Sequence, residues 1–128
     1  MKKSALGKKG EDFACERLLE KGYKITQRNF HLRLGEIDII AENESTIAFV
    51  EVKSRSSKSV SMPREAVDKG KQRKIIMTAV MYLQTHPVQK APRFDVFEVW
   101  HNESGIYKFC HIKNAFDLSA LGGKDELF

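Results

Sequence analysis

The chain is poor in the residues that build disulfide-stapled or membrane-spanning proteins. It has two cysteines, three prolines and one tryptophan among 128 residues. Cys15 and Cys110 form no CxxC pair, and Met1-Lys2-Lys3-Ser4-Ala5-Leu6 has basic residues with no apolar stretch behind them. No secretory leader or disulfide framework is expected, so the sequence points to reduced thiols in a cytoplasmic protein. Runs without a polar residue, such as Ile47-Ala48-Phe49-Val50, are far too short to cross a bilayer, and no membrane partner is expected. His31, His86, His101 and His111 show no zinc-ligand spacing with one another or with the cysteines. Neither cysteine has an evident histidine partner for nucleophilic catalysis, which leaves both as packing residues. Lys124-Asp125-Glu126-Leu127 is followed by Phe128 and so is no retention signal.

What is present is charge and enough apolar material for one core. Charged residues make up 30% and hydrophobic ones 41%, and 22 basic against 17 acidic side chains leave a net charge of +5. That balance favours polyanionic partners. The length suits one domain, expected over residues 1–116, with a loosely held Gly-containing tail from Asp117 to Phe128.

Helical spacing predicts a first helix from Ser4, as N-cap, to Lys21, with Gly22 as the stop. Leu6, Phe13, Ala14 and Leu18 form its buried stripe, and Glu11 lies at the border between that stripe and solvent. Three strands are expected next, at Tyr23–Phe30, Leu34–Glu42 and Thr46–Ser54, the last two forming a hairpin. A Ser-rich, basic loop follows from Ser54 to Pro63, then a second helix from Arg64 to Gln84. Pro87 and Pro92 bracket a linker to a second hairpin, Arg93–His101 and Ile106–Ile112. The order is that of a mixed α/β domain with helices packed on a central sheet.

The first hairpin carries the chemistry. Strand side chains alternate, so Glu36 and Asp38 share a face, as do Glu51 and Lys53. A loop over Asn43–Thr46 puts Asp38 opposite Glu51 and Glu36 opposite Lys53. Ile37, Ile39, Ala41, Ala48, Val50 and Val52 then form an apolar core face behind them. Like charges directly opposed across an antiparallel pair are destabilising. A divalent cation is the natural remedy, since Mg²⁺ takes carboxylate oxygens and keeps waters that can be activated against a phosphoryl group. Lys53 is placed to orient that water or to stabilise the developing charge. The competing account is a solvated charged face closed by a Glu36–Lys53 salt bridge, and a register shift of two would pair Glu36 with Glu51.

Beyond the hairpin, a longer set of residues is distinctive. Gly7-Lys8-Lys9-Gly10-Glu11, Gly22-Tyr23, Arg28-Asn29, Gly35-Glu36-Ile37-Asp38, Phe49-Val50-Glu51-Val52-Lys53 and Arg55 run in order along the chain. Glu65-Ala66-Val67, Lys71-Gln72, Tyr82-Leu83 and Arg93-Phe94-Asp95-Val96 continue it. Together they resemble the YraN family of small bacterial proteins, over nearly all of the chain up to Val99. That family is similar to the PD-(D/E)xK nucleases, which share the restriction-endonuclease-like fold of archaeal Holliday junction resolvases. The resemblance implies a mixed central sheet flanked by helices and a metal-dependent endonuclease acting on DNA, branched or single-stranded. It implies Asp38 as the motif's acid, Glu51-Val52-Lys53 as its (D/E)xK element with the Val52 carbonyl as a further Mg²⁺ or Mn²⁺ ligand, and Glu11 as the helix-borne acid. Gln72 corresponds to a helix residue that contacts phosphate or water in some relatives. One departure is that Ile37, not proline, precedes Asp38.

Basic residues suit a nucleic-acid partner recognised by structure rather than by sequence. Arg28, His31 and Arg33 lie between the first two strands, Arg55 and Lys58 follow Lys53, and Lys69-Gly70-Lys71-Gln72-Arg73-Lys74 gathers four cations on the second helix. A homodimer is the expectation for an enzyme cutting two strands. Two rivals stand beside the nuclease: a nucleic-acid-binding module that cleaves nothing, and a protein–protein adaptor using Phe94, Val96, Phe97, Val99 and Trp100 as its interface.

Overall fold

The computed structural model describes residues 3–56 and 67–121, the side chain of Ala120 excepted. Its first element, α1 (Ala5–Glu20), starts where a local cap allows, with Ser4 Oγ accepting from the Gly7 N–H at 3.0 Å. It stops before Gly22, whose φ of +93° suits a residue without Cβ. Leu6, expected in the buried stripe, is exposed, while Ala14, Cys15 and Leu18 are buried. Strands β1 (Lys24–Leu32), β2 (Gly35–Glu42) and β3 (Thr46–Ser56) follow, so β3 runs past its expected end. The expected helix start at Arg64 lies outside the described residues, but Val67 and Asp68 are already non-helical. Helix α2 (Lys69–Thr85) begins at Lys69 because Asp68 caps it, accepting from the Lys71 N–H at 2.8 Å. Then come β4 (Ala91–Asn102), which takes in Pro92, and β5 (Gly105–Phe116). A 3-10 turn, Leu118–Leu121, buries Leu121 in the core, so the tail is tied down at its start.

The five strands form one sheet in the order β1-β2-β3-β4-β5. Every neighbouring pair is antiparallel except β3 and β4, which are parallel and joined by the crossover through α2. The β2–β3 register is the one that the loop Asn43–Thr46 sets: Ile39 faces Val50 and Ala41 faces Ala48. This mixed sheet between helices is the restriction-endonuclease-like arrangement.

Both faces of the sheet are core, which corrects the expectation of one polar face. On one side α1 packs Ala14 and Leu18 over Ile39, Ala48, Val50 and Phe97. On the other, α2 packs Ile75, Ile76, Ala79 and Tyr82 over Ile40, Phe49 and Phe94. The polar residues Asp38 and Glu51 are confined to the end of the hairpin, where the pairing stops. Ile37 joins the α2 side although Ile39 and Ala41 lie on the α1 side, so strict alternation breaks around Asp38. At Gly10, α1 comes so close to β3 that a Cβ would fall 2.0 Å from Ser54 Oγ. That close approach brings the first turns of α1 to the open end of the hairpin.

Candidate functional site

The described β2–β3 pairing ends at Ile39 and Val50, and the next residues outward are Asp38 and Glu51. Asp38 Oδ2 accepts from the Val52 N–H at 2.8 Å, which fixes the carboxylate across the opening. Both acids are 5% exposed. Burial, and then the neighbouring Asp38 charge, push the Glu51 carboxyl up to about 7, against the pull of Lys71. Lys71 Nζ lies 2.6 Å from Glu51 Oε2.

Two further groups meet Asp38 from α1 and the N-terminal segment. Lys3 Nζ lies 2.8 Å from Asp38 Oδ1, 3.5 Å from Glu11 Oε1 and 3.8 Å from Glu36 Oε2. Burial lowers the Lys3 pKa, but the hydrogen bond to Asp38 and the surrounding carboxylates outweigh it, so the ammonium is held charged. Glu11, expected at the solvent border, is 1% exposed. Its Oε2 accepts from Arg28 Nε and Asn29 Nδ2, each at 2.9 Å. Its Oε1 is buried and, among the described residues, makes no hydrogen bond, with the Lys3 ammonium 3.5 Å away.

Glu36, Asp38 and Glu51, but not Glu11, line a cavity of about 780 Å³ together with Arg33, Lys53, Lys71 and Lys74. Its donors are hard oxygens, the kind that suits Mg²⁺ or Mn²⁺ rather than zinc. Among the described residues no three His, Cys, Asp or Glu side chains converge as a ready-made metal cage. The features that fit a cation are the adjacent buried carboxylates of Asp38 and Glu51 and the Glu11 Oε1, which makes no hydrogen bond among the described residues. Two ammonium groups hold those positions.

The expected phosphate binders divide into two sets. Arg33, Lys53 and Lys74 line the cavity and, among the described residues, make no ion pair; the Glu36–Lys53 bridge does not form, and Glu36 lies near Lys3 instead. Arg28, by contrast, holds Glu11 and reaches Asp12 Oδ1 at 2.6 Å, so it positions an acid rather than offering a free charge. Arg55 lies 3.1 Å from the buried Glu98. Gln72 is turned back: its Nε2 donates to the Val67 carbonyl at 2.7 Å and steadies the entry to α2. Arg73 is exposed and does not line the cavity, and Lys58 lies outside the described residues.

The apolar fourth strand is no interface. β4 lies between β3 and β5, and Phe94, Val96, Phe97 and Val99 are buried. Trp100 is half-buried under the Lys108 ammonium, 4.6 Å from the ring centre. Cys15 is a packing residue, since burial pushes its thiol up to about 11.

Sequence reasoning missed Lys3, Asn29 and the buried acid Asp95. Asn29 stands beside Arg28 in the family pattern but carried no sign of a role at the site, and it adopts φ +53°, a conformation that asparagine tolerates. Asp95 carried a stronger one, a charge in the middle of the apolar run Phe94–Val99.

Residues 10–99 match the sequence model described as "Uncharacterised protein family UPF0102". The UPF0102 protein of Persephonella marina is 49% identical over 113 residues, 88% of this chain and 93% of its own length. The chain belongs to UPF0102, the YraN family. Other UPF0102 relatives include that of Caldanaerobacter subterraneus subsp. tengcongensis, 44% identical over 117 residues, 89% of this chain and 96% of its own. The Caldicellulosiruptor saccharolyticus protein is 43% identical over 118 residues, 91% of this chain and 100% of its own. The UPF0102 match spans every residue of the site except Lys3. Among the described residues no helix is long and apolar enough to cross a membrane.

Proposed function

We propose that this UPF0102 protein is a divalent-metal-dependent nuclease that hydrolyses DNA phosphodiester bonds, selecting branched or single-stranded structure rather than sequence. The observation that carries the reading is Glu51, a buried carboxyl pushed up to about 7 beside Asp38 at the mouth of a lysine- and arginine-lined cavity. A fold keeps two buried carboxylates side by side at a cost to stability, and perturbed carboxyls in clefts mark sites of chemistry. Asp38, Glu51 and the Val52 carbonyl would hold Mg²⁺ or Mn²⁺, with Glu11 binding directly or through water. The bound ion would supply a more acidic water and charge stabilisation on the phosphoryl oxygen. Lys53 Nζ, in the same cavity, would hold the attacking water by hydrogen bonding. Lys71 would exchange its contact with Glu51 for a phosphate oxygen. Cutting both strands at one place would take two copies of the chain, related by symmetry.

One observation favours a second reading, a binding module without turnover: Lys3 and Lys71 already neutralise the acids. A cleavage panel separates the two. Duplex, single-stranded and four-way-junction DNA are incubated with Mg²⁺ or Mn²⁺ and the parent chain, Glu51→Ala or Lys53→Ala. Metal-dependent cleavage by the parent and none by either variant supports the nuclease. Cleavage by both variants at the parental rate sinks this catalytic assignment, and binding of all three substrates with no turnover establishes the module.

A further inference from the structure

A second cavity, about 880 Å³, lies beside the first and is lined by Lys3, Lys8, Glu11, Arg28, Asn29, His31 and Glu36. The two share Lys3, His31 and Glu36, so they form one groove running from the Asp38–Glu51 pair along the start of α1. We propose that this second cavity is a subsite for the sugar-phosphate backbone next to the reacting phosphodiester, with Lys8 and His31 as its phosphate contacts. The inference rests on the nucleic-acid reading above and assigns it a path along the protein.

The donors there are not equivalent. Arg28 is committed to Glu11 and Asp12. Lys8 and His31 are exposed and, among the described residues, make no ion pair or side-chain hydrogen bond, so their donors are available to phosphate oxygens. Lys8 is one turn from Glu11 on α1, and His31 is two residues from Asn29 on β1. Both therefore stand on the elements that hold the acid, which keeps phosphate contact and acid in fixed relation.

The groove is built to read backbone rather than bases. Sites that engage the bases themselves commonly stack them on aromatic rings, whereas a positively charged groove tracks the backbone. Among the described residues neither cavity is lined by Phe, Tyr or Trp. By sequence, residues 57–66 contain none either. The exposed rings Tyr107 and Phe109 lie on β5, the edge strand farthest from β1. Charge, not stacking, is what the groove offers, and charge reads phosphate without base identity.

The test is fluorescence anisotropy with a short labelled DNA, a matching RNA and a DNA carrying abasic sites, in Ca²⁺ at pH 7 over a series of salt concentrations. The proteins are the full chain, Lys8→Gln with His31→Gln, and Lys113→Gln as a control for net charge on β5. The double variant is expected to bind several-fold more weakly at low salt and to lose about one counterion, roughly 0.9 in the log–log salt slope for a duplex. Lys113→Gln should match the parent, RNA should bind like DNA, and abasic sites should cost less than twofold. Parental affinity and slope in the double variant, equal loss in Lys113→Gln, or a tenfold loss at abasic sites would each overturn the subsite. Binding that depends on Lys8 and His31 without any metal-dependent cleavage removes the nuclease reading and leaves the subsite standing. Cleavage that persists while the double variant binds normally removes the subsite alone.

Discussion

Buried carboxylates are neutralised in opposite ways in two of the charged clusters of this fold. Asp95 in β4 is fully buried and saturated with donors: Arg93 Nε at 2.9 Å, Arg93 Nη2 and His111 Nε2 at 2.8 Å, and the Asn114 N–H at 2.9 Å. Lys21 Nζ donates to His111 Nδ1 at 2.8 Å, which leaves the ring proton on Nε2, facing Asp95. Burial alone would push Asp95 up, but the His111, Arg93 and Asn114 donors outweigh it and hold the carboxyl below its usual range. Glu51 is nearly as buried, but among the described residues Lys71 is the one cation paired with it, and burial together with the like charge of Asp38 outweighs that pairing, so its carboxyl rises instead. The first cluster is a clasp joining β4 and β5 to Tyr23 through the 2.7 Å bond from Arg93 Nη2 to the Tyr23 hydroxyl. The second sets two carboxylates side by side, each held by a single lysine ammonium. Satisfied buried charge holds strands together, and unsatisfied buried charge marks where a ligand would be welcome.

The sharpest way to break this contrast is to delete one acid from each cluster. Asp95→Ala leaves Arg93 and His111 without their carboxylate in the interior and should lose about 3–5 kcal/mol in urea unfolding. Asp38→Asn in metal-free buffer should be as stable as the parent or more so, because it removes repulsion against Glu51. Equal losses from the two substitutions would erase the distinction.

The clusters should also respond to pH with opposite signs. The folded-state pKa of Glu51 is raised from 4.5 to about 7. Its contribution is therefore fully present below the unfolded value and is lost as pH rises to 7, on the order of 3 kcal/mol. Asp95 is lowered from 3.8, so its contribution is present above that pH and is lost as pH falls through the folded-state value. Urea melts from pH 4 to 8 on the parent and Glu51→Gln measure the first effect, and the decline toward pH 7 should be absent in the variant.

A divalent ion should act on one cluster only. Mn²⁺ at a hundred times its dissociation constant should raise stability by about 2.7 kcal/mol. Asp38→Asn should abolish the thermal shift, while a conservative change in the clasp, His111→Gln, should lower the melting temperature and keep the shift. A full shift in Asp38→Asn would place the ion elsewhere.

The smallest effect concerns Lys3. Its ammonium sits among Asp38, Glu11 and Glu36 and competes with any cation there. Lys3→Ala should bind Mn²⁺ a few-fold more tightly by calorimetry, and unchanged or weaker binding would show that Lys3 does not occupy the ion's place.

Much of the fold was legible because its signals are local. Ser4 and Gly22 bound α1 through contacts within one turn, and the loop Asn43–Thr46 sets the β2–β3 register from its own geometry, with Asn43 Oδ1 accepting from the Ser45 and Thr46 N–H groups. The Asp38–Glu51 juxtaposition follows from that register, and the motif resemblance pointed to the same two residues. Gln72 and Arg28 were not legible in the same way. Each is polar and near the site in sequence, but their donors were taken by the Val67 carbonyl and by Glu11.

The sequence by itself determined the two helices and five strands, the hairpin register and the family, because capping, turn chemistry and alternation act over a few residues. Tertiary structure alone decided which charges are free and which are spent. The parallel β3–β4 pairing buries Asp95, α1 buries Glu11 by approaching β3 at Gly10, and the N-terminal segment brings Lys3 to Asp38 across 35 positions of sequence. Desolvation and pairing depend on what surrounds a side chain in space, so a carboxylate that clasps the core and one left short of charge look the same until the chain has folded.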